Sequence, residues 1–528
     1  GYKFVGWYTS ATGGTKVETT TKYTIVGNQT LYAHWEGQSY TVTFDRNGGD
    51  AWTSTTCSSA NGMTLNSDGS CTKTVTFASS YGTLATPSKK GYSYVWKDEN
   101  GNTITKDTIV NIPKNHNLTA TWTGMTYTIN YYQGNNSSTA GSTKLTSSTC
   151  VYGSACTLTT YSGTVPNSSL GFQFAGWNLD KNAIDEITYQ NSQVIAAGDN
   201  SLNTSAASTV SLYAIFKRDI KFYSGVNVLN KTEVQYYNPY INTQISEVSA
   251  PVPSLTGLSD YSWNKLGYRA DSTANTATYT VTDAAINIKP AYNVSNNLYA
   301  VYSRNMIFVS GVNKATSVER TQYYISAGNV TAVNAPALRI SGLSDYGWSG
   351  IGYTNSTTDV SNNLLYQVTT TATNITIPYN KYYSYLYAMY NRIINFVSTE
   401  TVTKIQYYNT NNKVSSITVS KPTIGSLGSY KWSSYGWTSD NSQVTSLDES
   451  LTSKINYIVD SSDVTKSLAY NSVVNFYAMY KRSLVFYSGV SKEQKSTEVQ
   501  YYNISGSTSV VKVPSAKSIS NWTVLGYT

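Results

Sequence analysis

GYKFVGWYTSATGGTKVETTTKYTIVGNQTLYAHW, residues 1–35, returns in altered form down the whole chain, and its closing cassette marks the interval. LYAHW at Leu31 reappears as LTATW at Leu118, LYAIF at Leu212, LYAVY at Leu298, LYAMY at Leu386 and FYAMY at Phe476, giving steps of 87, 94, 86, 88 and 90 residues. So steady a period means tandem copies of one small folded unit rather than a single large core. The 528 residues accordingly divide into partial repeats at 1–36 (the back half of a unit) and 482–528 (the front part of one). Full repeats stand between them at 37–123, 124–217, 218–303, 304–391 and 392–481.

Within the quoted stretch, alternation sets Lys3, Val5 and Trp7 on one face of a strand and Tyr2 and Phe4 on the other, and Gly13 and Gly14 permit a tight reversal. The cassette reads as a further strand, with Leu31, Ala33 and Trp35 inward and Tyr32 and His34 outward. Composition agrees with strands: charged residues are only 12%, and 48 tyrosines with abundant Ser, Thr and Asn fill the difference. The chain is expected to be all-β or β-rich.

The net charge of +8 is spread along the chain without a run of Lys or Arg. No concentrated field is left for phosphates, and nucleic acid is not an expected partner. No apolar run approaches the ~18 residues of a membrane span, and neither an initiator Met nor a signal-peptide pattern opens the chain at Gly1. It reads as a window from a longer array, with membrane or wall attachment left to segments outside it. His34 and His116 are the only histidines, one on an outward strand face and one in the turn PKNHN, so neither is placed for acid–base or nucleophilic catalysis. Asp98, Glu99, Asn100 and Asn102 lack the alternating ligand set and closing Glu of a calcium loop and read as a hairpin turn. No catalytic residue, metal ligand or cofactor is expected.

Four cysteines stand as local neighbours, Cys57 with Cys71 and Cys150 with Cys156. Three connectivities are open, of which pairing within a repeat is the economical one, with free thiols as the alternative. Disulfides would argue for an oxidising compartment.

GYKFVGWYTSATGG, LYAHW and YTVTFDRNGG (residues 40–49) resemble the internalin B repeat, also called the Listeria-Bacteroides repeat, of bacterial surface proteins. The resemblance is specific across residues 1–49, good at 91–122 and 171–217, and weaker beyond. It implies a small β-grasp-like module used in tandem in secreted and wall-attached proteins. Modules of about 88 residues would then form an elongated rod, extracellular and at the cell surface.

From 218 on the copies form a divergent subtype. Each opens with a basic residue and a short apolar strand, RDIKFYSGV, RNMIFVSGV, RIINFVSTE or RSLVFYSGV, followed by Gln-Tyr-Tyr at Gln235, Gln322, Gln406 and Gln500. Between Phe216 and Ile220 stand only Lys217, Arg218 and Asp219, too short and too bulky for a flexible linker, so one repeat should run almost directly into the next. Arg218, Arg304, Arg392 and Arg482 sit at these junctions, either bonding carbonyls and stacking on rings of both neighbours or simply keeping the joint soluble. One ring of each tyrosine pair should point outward. Tyr237, Tyr324, Tyr408 and Tyr502 are the candidates for stacking on sugar rings or on another chain, against the plainer reading of strand-favouring residues on a solvated face.

These readings lead to the repeat region of a secreted surface protein, a stalk or filament that projects or supports adhesion. Its expected partners are neighbouring repeats and other copies of itself. The alternative is a multivalent adhesin binding host or matrix glycan or protein through the outward tyrosines.

Overall fold

The computed structural model describes residues 1–53, 56–134, 142–240, 244–441 and 455–528. Strands and turns build it, and the helices among the described residues are short 3-10 turns. The chain divides into two compact units. The first holds Gly1–Ile220, Glu233–Val248 and Asn287–Asn296; the second holds Lys221–Thr232, Ser249–Ile286 and Asn297–Thr528.

In the first unit, repeat 37–123 forms a mixed sheet. Its first strand, Ser39–Asp45, lies parallel beside its last, His116–Gly124. Cys71–Thr76 and Tyr92–Lys97 flank this pair antiparallel. Alternate residues Val42, Phe44, Trp96, Leu118 and Ala120 face one buried core. Repeat 124–217 follows the same plan, with residues 128–132 of Thr126–Gly134 parallel to residues 209–213 of Thr209–Ser224. Ser142–Val151 and Gln173–Asn178 flank them, and Ile129, Tyr131, Trp177, Leu212 and Phe216 supply the core.

The faces expected for residues 1–35 fail beyond Phe4. Pairing of Tyr2–Tyr8 with Tyr32–Gly37 slips between Phe4 and Gly6, so Val5 is an extra, bulged residue. Phe4 and Trp7 therefore share a face, with ring centroids 5.6 Å apart, and Trp35 meets Phe4 at 5.2 Å. A strict period of two cannot register an inserted residue. Leu31 and Trp35, expected inward, are exposed.

The slip recurs before Gly176 in the first unit and before Gly267, Gly352 and Gly436 in the second. GYSYVWK, at 91–97, lacks that glycine and pairs without a slip. At the bulge the next short strand crosses the glycine so closely that a Cβ on Gly267 or Gly352 would overlap the carbonyl oxygen of Tyr279 or Tyr366.

The second unit is carried by the strands Asn297–Ser310, Tyr385–Val397 and Asn475–Ser488. Each serves two repeats. In Tyr385–Val397 the cassette end pairs antiparallel with Ser349–Thr354 of its own repeat, and residues 389–397 pair with Thr401–Asn409 of the next. The strand crosses the boundary at 391/392 without a break. Residues 385–387 also lie parallel to 307–309, and 475–477 to 395–397, so the first and last strands of each repeat are neighbours.

The cores are not closed repeat by repeat. The core of 304–391 includes Tyr408 from the following repeat, and the core of 124–217 includes Tyr237 and Ile245. Nor is 218–303 a body of its own: residues 233–248 and 287–296 belong to the first unit. Their side chains complete the core and the arginine site that the preceding repeat leaves open.

Candidate functional site

The four junction arginines occupy the middle of this arrangement, and three of them are fully buried. Arg392 shows the pattern. Its Nε and Nη2 both donate to Gln406 Oε1, at 2.9 and 2.8 Å. Nη1 reaches the carbonyl oxygens of Ser472 (2.8 Å), Tyr470 (3.1 Å) and Tyr346 (3.3 Å), and Nη2 reaches that of Ala469 (2.8 Å). The guanidinium lies 4.4 Å from the ring centroid of Trp348. Tyr346 and Trp348 belong to the preceding repeat, the other partners to its own.

Arg304 repeats this with Gln322, Pro378 O, Tyr261 O and Trp263, the ring 4.1 Å away. In the first unit Arg218 does so with Gln235, Ala291 O, Val294 O and Phe172. Arg482 keeps Gln500 and Trp432 but is only half-buried. A junction arginine that merely keeps the joint soluble would lie in water; these do not.

Local sequence explains how the site is held. The glutamine alternates with the buried tyrosine two residues on, so both point inward from the same strand. Gln406 also donates through Nε2 to Leu468 O and Ser415 O, each at 3.0 Å, and Gln322 does the same to Ile377 O (2.9 Å) and Thr331 O (3.0 Å). A charge removed from water needs several hydrogen-bond acceptors, and here every acceptor of Arg304 and Arg392 is neutral. Burial pushes both guanidinium groups down to about 10, so they stay charged at neutral pH. Planar, forked donors suit a cage of carbonyls in a way a lysine ammonium does not.

A second tie lies just beyond the tyrosine pair. Asn409 donates to Ser356 O and Asp359 O, and Asn503 to Asp440 O, fastening a loop of the preceding repeat. In the first unit Asn238 holds Lys181 O and Ala183 O.

The tyrosines proposed for surface binding are misplaced. Tyr237, Tyr324 and Tyr408 are completely buried, and Tyr502 is half-buried against Trp432 and Tyr480. Tyr408 packs against Trp348 and Tyr390 of the repeat before it. Alternation correctly sends one ring of each pair inward, but the inward ring is the second, on the glutamine's side. The outward ones are Tyr236, Tyr323, Tyr407 and Tyr501, and each is only partly exposed.

Both disulfides pair within their repeats, Cys57 with Cys71 and Cys150 with Cys156. His116 is not in a turn: it begins a strand, is buried, and shares a 2.7 Å hydrogen bond with Tyr81 Oη. His34 stacks on Tyr8 at 3.9 Å. Asp98 caps its hairpin, accepting from the backbone of Asn100 and Asn102 and from the Asn102 side chain. Burial alone would raise its carboxyl, but these hydrogen bonds outweigh burial and hold it below the usual range. Among the described residues no group of three or more His, Cys, Asp or Glu is placed to hold a metal.

Sequence reading marked the arginines and the recurring Gln-Tyr-Tyr but did not join them. It missed the aromatic platform, Phe172, Trp263, Trp348 and Trp432. The available signal was that one of these rings stands four residues before each recurrent bulge glycine, in FQFAG, WNKLG, WSGIG and WSSYG. Residues 1–34 match the Listeria-Bacteroides repeat domain. No curated protein and no solved structure matches the chain.

Proposed function

We propose that a chain opening on a Listeria-Bacteroides repeat and jointed in this way is the structural repeat region of a secreted cell-surface protein. It acts as a stalk or filament segment of β-grasp-like modules that projects or supports adhesion. The observation that carries the reading is the arginine seam. A strand that passes unbroken from repeat to repeat, with a buried guanidinium bonded to both, leaves no hinge where a linker would stand. Nearest-neighbour interfaces of this kind let an array gain stability with every added copy. The two disulfides suit an oxidising, extracellular setting. The proposal assigns the chain no reaction.

Small-angle scattering tests it. A single compact globule of this length has a radius of gyration of about 24 Å, whereas six modules of ~35 Å in line give on the order of 60 Å. A value near the first would overturn the stalk; a value near the second supports it.

A further inference from the structure

We propose a carbohydrate-binding cleft in repeat 37–123, where Asp45, Arg46, Trp52, Asp68 and Asn117 surround an opening of about 480 Å³. This inference stands apart from the stalk reading. In the second unit the first two strands of a repeat are joined by three to five residues, at 311–315, 398–400 and 489–493. Between Ser39–Asp45 and Cys71–Thr76 the chain instead makes a 25-residue excursion, 46–70. It holds the short strands Ala51–Trp52 and Met63–Leu65, and the cleft opens where it meets the end of the sheet.

The walls are fixed before any ligand arrives. Cys57–Cys71 ties the excursion to the sheet. Trp52 Nε1 donates to Gly69 O at 3.0 Å, and Asp68 Oδ1 accepts from the Ser70 backbone and hydroxyl at 2.9 and 2.6 Å. Asp45 Oδ1 accepts from Asn47 N at 2.9 Å. Arg46 donates to Asp50 O at 3.1 Å, with its guanidinium 5.6 Å from the Trp52 ring centroid. Walls already ordered reduce the entropic cost of binding, and the volume is within the range of small-ligand sites.

The lining selects the ligand class. Two carboxylates, one guanidinium and the exposed amide of Asn117 put both acceptors and donors in the lining. Vicinal hydroxyls, each donor and acceptor at once, match that mixture. Two carboxylates repel phosphate and sialic acid, and among the described residues no third His, Cys, Asp or Glu joins them to hold a metal ion. A neutral oligosaccharide fits.

The test uses the 528-residue protein on an array of neutral and sialylated oligosaccharides, with hits titrated calorimetrically. Neutral glycans should bind, Asn117→Ala should weaken them at least tenfold, and Asn117→Trp should abolish binding by filling the cleft. The Asn117 side chain is exposed and takes no part in the turns that shape the cleft, so both variants should keep the wild-type circular dichroism. No capture at millimolar glycan, capture of sialylated glycans alone, or an affinity unchanged in both variants overturns the proposal. None of these results bears on the scattering experiment.

Discussion

Replacing Arg392 with alanine should loosen two repeats at once, because its partners come from both. The ring contact with Trp348 contributes about 2 kcal/mol in a dry site. Against this stands the cost of burying the charge: a fall in the guanidinium pKa from 12.5 to about 10 corresponds to about 3 kcal/mol. The alanine variant recovers that cost but leaves Gln406 and the carbonyls of Ala469 and Ser472 without their donor, at about 1–2 kcal/mol each, so a net loss of about 3 kcal/mol is expected. Hydrogen exchange read peptide by peptide reports the opening of each repeat separately and is the suitable assay for a joint. Amides at 404–410 and 466–474 should exchange about a hundredfold faster, and those facing Trp348 should follow. Arg392→Lys should fall between, while Lys381→Ala, at an exposed site in the preceding repeat, should change nothing. Wild-type protection in Arg392→Ala would refute the assignment of the arginine as the joint's fastening.

Other outcomes follow from the packing. Gly352→Ala should cost more than 2 kcal/mol, since its Cβ meets the Tyr366 carbonyl, whereas Gly328→Ala, with nothing within 4 Å, should cost about 1 kcal/mol from its positive φ alone; thermal melts separate the two. Tyr408→Ala should destabilise by about 3–5 kcal/mol in a denaturant titration, as a core deletion does and as loss of a surface contact does not. Burial pushes Tyr302, Tyr324 and Tyr480 up to about 12, above the ordinary value of 10 that the unfolded chain shows. Their contribution is therefore complete below pH 10 and is lost as pH rises through 12, so denaturant midpoints should drop over that interval. Arg304 and Arg392, pushed the other way to about 10, oppose this between 10 and 12.5, but the buried tyrosines outnumber them. Replacing Cys57 and Cys71 together with Ala removes the constraint on a ~15-residue loop and should lower stability by about 3 kcal/mol, read as a shift in melting temperature.

The period, the strand content and the tight junctions were legible in the cassette and its spacing, because repetition survives divergence. Side-chain direction was not. The bulge at Val5 adds a residue that alternation cannot see, and Gly6 became informative only beside Gly176, Gly267, Gly352 and Gly436. Tyr237 and Tyr408 were assigned outward because a pair of rings in a strand says that one is inside but not which. The answer depended on Trp348 and Phe172, which lie in other repeats. Arginine and glutamine stayed unconnected for a related reason. Their separations, 218 to 235, 304 to 322, 392 to 406 and 482 to 500, vary with the length of the intervening hairpin, although in the second unit the two residues always stand opposite each other across the strands.

The parallel contact between residues 307–309 and 385–387 has a mechanical consequence. Tension applied through the chain enters repeat 304–391 at the start of one of these strands and leaves at the end of the other, so it tries to slide them lengthwise past each other. The bonds between them then share the strain together instead of opening one after another, as they would if the strands were peeled apart from a turn. In a pulling experiment this geometry should give each repeat a distinct, high rupture peak, and the same bonds should yield easily when the load is applied across the strands.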